Sequence, residues 1–186
     1  MNQPYPVTVG GNWLEQVKES IPDHSKDIKL NLDSAINRSP LSEVDTHAVA
    51  YVSALAAGNG GLAFEIEHNG PLFADEKVRE AAKTAASLMG MNNMWYPFVE
   101  MTQDPELKKL PAGLRMNAYA THAGVTKKQF EMYAMAASVI GKCHFCVKNH
   151  YDVLKKEGMT IQELQHVGKI ASIVNAVGKK IGRAHV

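Results

Sequence analysis

Apolar residues recur along this chain at the three- and four-residue spacings of helices. No run of β-branched residues alternates in the two-residue period of a half-buried strand, and no hairpin dipeptide joins two such runs. Start signals punctuate the pattern. Ser42 with Asp45, Thr126 with Gln129, and Thr160 with Glu163 have the form of capping boxes or near variants, in which a side-chain oxygen accepts from the N–H three residues on. Asp75 stands as an N-cap before EKVREAAKTAASLMG, a helix that Gly90 is expected to close. Pro22 is placed as the first residue of a helix running to about Ile36, and Gly158 as the stop of one beginning near Cys143. The expected fold class is all-α.

The caps also repeat. Ser42 to Asp75 spans 33 residues and Thr126 to Thr160 spans 34, so the halves 40–92 and 124–181 are offset by 84 to 85. At that offset SLM (87–89) falls on SIV (172–174), and Asn59 and Leu62 fall on Cys143 and Cys146. Caps also recur at such intervals in helical proteins of any origin, so this repeat is weak. The stretch Pro97 to Ala123 is expected to be the loosest, because Pro105, Pro111 and Gly113 interrupt any long helix. Residues 1–11 and 182–186 are expected to fray. Nothing marks a linker, and 1–186 reads as a single domain.

Composition narrows the function classes. The 186 residues are 45% hydrophobic and 21% charged, as in an ordinary globule. Lys plus Arg is 20 against 19 for Asp plus Glu, a formal net charge of +1. No field of one sign exists to gather nucleic acid or an anionic membrane. The longest uncharged stretch, Thr46 to Phe64, is interrupted by His47, Gly58, Asn59, Gly60 and Gly61, so no membrane span is expected. The segment MNQPYPVTVGGNW has neither basic head nor apolar core, which argues against a signal peptide and for a cytoplasmic protein.

The cysteine count carries the chemistry. The chain holds two cysteines, Cys143 and Cys146, three positions apart. In a reducing compartment such a pair points to redox chemistry or to a metal rather than to a structural staple. On a helix over 143 to 157, Cys143, Cys146, Val147, His150, Val153 and Leu154 share one face. His144, Lys148, Asn149, Asp152, Lys155 and Lys156 share the other. Glu157 is the one charge on the inner stripe, and Phe145 is a lone apolar ring among the polar positions. Cys146 and His150, at i and i+4, are neighbours, so the imidazole could take the thiol's proton. Cys143 would sit in the first turn, where unsatisfied N–H groups favour a thiolate. The two arguments favour different cysteines. The spacing also lets the sulfurs meet as a disulfide.

The preceding segment FEMYAMAASVIG is apolar on nearly every side, with Glu131 its only charge. Either Glu131 is a first-turn carboxylate favoured by the helix dipole, or it is partly buried with a raised pKa suited to proton transfer. His68, His122 and His166 have no pattern around them and read as structural. Met89, Met91, Met94 and Met101 read as core packing, and Trp95 and Tyr96 as core or subunit contact. C-x2-C-x3-H offers three ligands where structural zinc needs four, so no metal ligand is assigned, although a distant histidine could complete a zinc module. Val147, directly after Cys146, excludes haem attachment. Neither a dinucleotide fingerprint nor a P-loop is present.

The spacing E-x11-C-x2-C-x3-H, here Glu131, Cys143, Cys146 and His150, resembles the motif of the alkyl hydroperoxidase D (AhpD) family, within the carboxymuconolactone decarboxylase-like group. The segments DIKLNL (27–32), MGMNN (89–93) and LRMN (114–117) resemble it too, and the likeness covers roughly residues 13 to 181. The resemblance implies a helical bundle of two related halves and a homotrimer. It implies an antioxidant thiol peroxidase and disulfide reductase with no bound cofactor. Dihydrolipoyl groups on a dehydrogenase-complex subunit would reduce a Cys143–Cys146 disulfide. The dithiol would then reduce alkyl hydroperoxides, or regenerate a peroxiredoxin partner, alkyl hydroperoxide reductase C. By the same likeness Cys146 attacks peroxide and becomes a sulfenic acid. Cys143 resolves it, donates a proton and is the more accessible sulfur, while Glu131 and His150 relay protons. Family members often carry a histidine just before the second cysteine; Phe145 stands there here, and His144 lies one position earlier on the polar face. That departure bears on peroxide turnover more than on disulfide exchange. A decarboxylase-like lyase on the same fold is the competing enzyme class.

Overall fold

The computed structural model describes residues 11–181; of the fraying expected for 1–11 and 182–186, all but Gly11 lies outside the described residues, and Gly11 N–H donates to Asn69 Oδ1 at 3.3 Å. Ten helices follow in order: α1 (Trp13–Ser20), α2 (Lys26–Asn37), α3 (Glu43–Ala56), α4 (Gly60–His68), α5 (Glu76–Thr102), α6 (Pro105–Lys109), α7 (Asn117–Ala120), α8 (Lys127–Gly141), α9 (His144–Lys156) and α10 (Ile161–Ile181). Among the described residues there is no strand, and no helix is long and apolar enough to cross a membrane.

The bundle is organised around two helices that are apolar on nearly every side. Every residue from Thr46 to Ala54 of α3 is buried, as is every residue from Phe130 to Ser138 of α8. A helix apolar all round must lie inside. Alanines at 48, 50, 54, 134, 136 and 137 keep these two helices slim enough to pack on each other and on α5 and α10. Burial of Tyr51, Phe130 and Tyr133 in the same layer supplies much of the apolar area that holds the bundle together.

The caps stand where the side chains place them. Ser42 accepts from Asp45 N–H at 3.1 Å, Asp75 from Val78 N–H at 3.1 Å, and Thr160 from Glu163 N–H at 3.2 Å. Thr126 and Gln129 complete a reciprocal capping box. Asn59 Oδ1 accepts from Leu62 N–H at 3.1 Å to start α4, and Cys143 Sγ accepts from Cys146 N–H at 3.2 Å to start α9. The offset seen in the sequence thus superposes two cap pairs, one amide and one thiol.

Three expectations fail locally. Gly90 does not close α5, which continues through Gly90 and Pro97 to a left-handed Gln103 (φ 54). Met89, Asn92 and Asn93 are buried in this stretch, and that packing outweighs the local cost of one glycine. Pro22 instead caps a 3-10 turn over Asp23–Ser25, and α2 begins at Lys26. Of the four methionines assigned to the core only Met89 is fully buried; Met94 and Met101 lie on the exposed side of the extended α5.

Candidate active site

The approach to the cysteines is built by the end of α8. Asn93 Nδ2 donates to Ala137 O at 3.0 Å, against the last turn of α8. A Cβ at Gly141 would stand 2.2 Å from that amide nitrogen, so only glycine allows this approach. Lys142 then takes a left-handed conformation (φ 55), returning its N–H to the carbonyls of α8. This reversal delivers Cys143 to the N-cap of α9 in an extended conformation.

Cys143 and Cys146 form a disulfide with their Cα atoms 5.3 Å apart. Cys143 is 0% exposed and Cys146 4%. The expectation that Cys143 is the more accessible sulfur therefore fails in this chain: both cysteines are buried, as their place on the inward face of α9 requires. The inner face of α9 is as read: Cys146, His150 and Leu154 are buried and Val147 and Val153 are half-buried, while His144, Lys148 and Asn149 are exposed. Glu157 is not on the inner face; it is exposed at the helix end and pairs with Lys127 at 2.8 Å.

Glu131 reaches this face from α8. It is 2% exposed, and its Oε2 lies 2.7 Å from His150 Nδ1. Tyr119, on α7, donates its hydroxyl to Oε1 of the same carboxylate. Burial pushes the carboxyl up, but the hydrogen bonds from His150 and Tyr119 outweigh it and hold Glu131 below the ordinary carboxylate value of 4.5. The raised pKa considered for Glu131 is thus corrected: the site holds it as an anion. Burial and the adjacent carboxylate push the Tyr119 phenol up, so it stays protonated as a donor. His150 Nε2 meets the thioether of Met89 at 3.2 Å. Both ring nitrogens are thereby taken, and His150 makes no hydrogen bond to Cys146 in this disulfide form. Cys146 Sγ lies 3.9 Å from the Asn92 carbonyl.

These groups border one cavity of about 300 Å³, which is also walled by Tyr96, Met116 and Phe145. Phe145 is no misplaced ring: it packs on Tyr96 with centroids 4.6 Å apart, at the rim of the cavity. His68 stacks on Phe64 at 4.0 Å and bonds the Phe64 carbonyl, and His166 bonds the Ala35 carbonyl. His122 lies in a 3-10 turn with positive φ, 6.1 Å from the Phe130 ring. Among the described residues no group of three or more His, Cys, Asp or Glu is arranged to hold a metal ion.

Tyr119, Met89, Asn92 and Met116 were not read as site residues. A signal existed for three of them, since MGMNN and LRMN were the segments outside the motif that carried the resemblance. Tyr119 had none, because a tyrosine on one isolated turn carries no pattern.

A disulfide at a helix N-cap, with Cys146 on a cavity that a carboxylate–imidazole pair also lines, inside an all-helical bundle, is the architecture at hand. The sequence model of the carboxymuconolactone decarboxylase family matches residues 105–184, the stretch that holds Tyr119, Glu131 and the whole of α9. Proteins named alkyl hydroperoxide reductase AhpD are similar over nearly the full chain. One from Coxiella burnetii is 39% identical over 169 residues, covering 89% of this chain and 95% of its own length. One from Streptomyces griseus is 37% identical over 165 residues, covering 89% of this chain and 93% of its own. One from a Bradyrhizobium species is 37% identical over 173 residues, covering 93% and 95%. The chain belongs to the AhpD family.

Proposed function

We propose that the protein is an alkyl hydroperoxide reductase whose working group is the Cys143–Cys146 dithiol. The observation that carries this reading is the Glu131–His150 pair, held at 2.7 Å on the wall of the cavity that Cys146 also lines. In the reduced protein the Cys146 thiolate attacks a peroxide oxygen. The O–O bond breaks, the alcohol leaves with a proton from the relay, and Cys146 becomes a sulfenic acid. Cys143 then attacks that sulfur, water leaves, and the disulfide forms. His150 and Glu131 carry the protons exchanged at Cys146. Two electrons from a dihydrolipoyl group restore the dithiol, and the lipoyl ring closes in its place.

The same dithiol passes its electrons to the disulfide of a peroxiredoxin partner, alkyl hydroperoxide reductase C, in the reducing cytoplasm. Among the described residues no Lys or Arg lines the cavity, and Tyr96, Phe145 and Met116 give one side of it an apolar surface, which suits a neutral dithiol such as a lipoyl arm on a dehydrogenase-complex subunit. No cofactor is needed in this cycle. Met94, Phe98 and Met101 form an exposed apolar stripe on α5, and we assign it to contacts between the three copies of a homotrimer.

The test is turnover of tert-butyl hydroperoxide with dihydrolipoamide. Cys146→Ser should abolish it, and a variant that keeps wild-type turnover overturns the assignment. Dihydrolipoamide should reduce the disulfide faster than glutathione or thioredoxin does. Light scattering reads the trimer. The lyase reading requires an activity that survives alkylation of both cysteines.

A further inference from the structure

Tyr119 lies outside the Glu131–Cys143–Cys146–His150 set, yet it completes the site. It sits on α7, a single turn between α6 and α8. Its hydroxyl donates to Glu131 Oε1 while Oε2 holds His150 Nδ1, so each oxygen of a buried carboxylate has its own partner. The ring stands edge-on to Phe130 at 5.4 Å and tilted to the His150 imidazole at 6.4 Å. The backbone that follows is unusual: His122, Ala123 and Gly124 all have positive φ (51, 48 and 85). Such conformations in non-glycine residues persist only where the surrounding structure imposes them. Here the turn folds the α7 segment back onto the start of α8 and brings the phenol to the carboxylate.

We propose that Tyr119 is a positioning residue for the peroxide reaction: its O–H holds the Glu131 carboxylate so that Oε2 alone serves His150. This rests on the relay reading of Glu131 and His150 above. Without the phenol the buried carboxylate would keep one oxygen unpartnered, could rotate away from the imidazole, and would gain a proton more readily as pH falls. The other groups near Glu131 cannot substitute. Lys127, one turn earlier on α8, is engaged with Glu157. Asp45 of α3 faces Gln129 and Tyr133 on a different side of α8. From α5 the group that bonds the pair is the uncharged thioether of Met89.

The experiment uses full-length Tyr119→Phe, Glu131→Gln and the double variant, assayed with tert-butyl hydroperoxide and dihydrolipoamide from pH 5 to 8. Phenylalanine keeps the ring against Phe130. Tyr119→Phe should lower kcat about tenfold, as loss of one hydrogen bond to a charged group would, leave KM within about twofold, and move the acid limb to higher pH. The double variant should be no slower than Glu131→Gln alone. Infrared spectra near pH 5 should show a protonated carboxyl band in Tyr119→Phe that the double variant lacks. Wild-type kcat and pH profile in Tyr119→Phe, or additive losses in the double variant, would overturn the positioning role while leaving the relay intact. Wild-type turnover in Glu131→Gln would overturn the relay and this inference together.

Discussion

Glu131 Oε2 and His150 Nδ1 meet at 2.7 Å and tie α8 to α9 at a point where both side chains are buried. A buried pair of this kind contributes little net stability, because desolvation cancels much of the attraction. Under the proposed function its value is chemical, since it lies on the wall of the cavity that Cys146 also lines.

The pair makes stability depend on acid. The folded Glu131 carboxyl is held below its ordinary value of 4.5. Its contribution is therefore fully present above the unfolded value and is lost as pH falls through the folded one. Calorimetry from pH 7 to 3 should show the melting temperature falling below about pH 4.5. The neutralised double variant Glu131→Gln, His150→Gln should fall less steeply. Parallel curves would mean that the pair is not coupled to folding.

Cys143 has a structural duty separate from its proposed chemistry, since its sulfur caps α9 through Cys146 N–H. Under reducing conditions Cys143→Ser preserves a cap and Cys143→Ala removes it, a difference of about 1 kcal/mol. That corresponds to a melting temperature roughly 2–4 °C higher for the serine variant. Equal melting temperatures would mean that the cap is dispensable.

Gly141→Ala should destabilise the protein. The new methyl would meet Asn93 at 2.2 to 2.6 Å, including its Cβ, so more than a flexible tip must move. The cost is about 1–3 kcal/mol, read as a lowered denaturation midpoint with an unchanged slope. A midpoint equal to wild type would show that the α5–α8 contact yields freely.

Lys142→Gly should do the opposite. Lys142 is exposed and left-handed (φ 55), the position at which helices most often use glycine. The gain is about 1 kcal/mol, measurable as a higher denaturation midpoint with turnover retained. A loss of stability would show that the Lys142 side chain contributes a contact of its own.

Much of the helical frame was legible because caps are local. Ser42, Asp75, Thr126 and Thr160 announce helix starts through side chains that bond backbone groups three residues away. The inner face of α9 was legible for the same reason, since helix periodicity alone puts Cys146 and His150 on one side. Helix ends were less legible: Gly90 and Pro97 are local stop signals overridden by burial of Met89, Asn92 and Asn93. Met94 and Met101 were misread with them, because an apolar residue looks the same in a core and on an exposed stripe.

From residue types and spacing alone came the all-helical class, the cysteine pair and the groups proposed to do chemistry with it. These follow from backbone geometry over three or four residues. The tertiary structure alone decided that Glu131 is an anion rather than a raised carboxyl. That outcome depends on whether burial or hydrogen bonding prevails, and both bonding partners come from other helices. It alone brought Tyr119 and Met89 to the Glu131–His150 pair proposed as a relay. Each of these depends on contacts between segments distant in the chain, which no local pattern encodes.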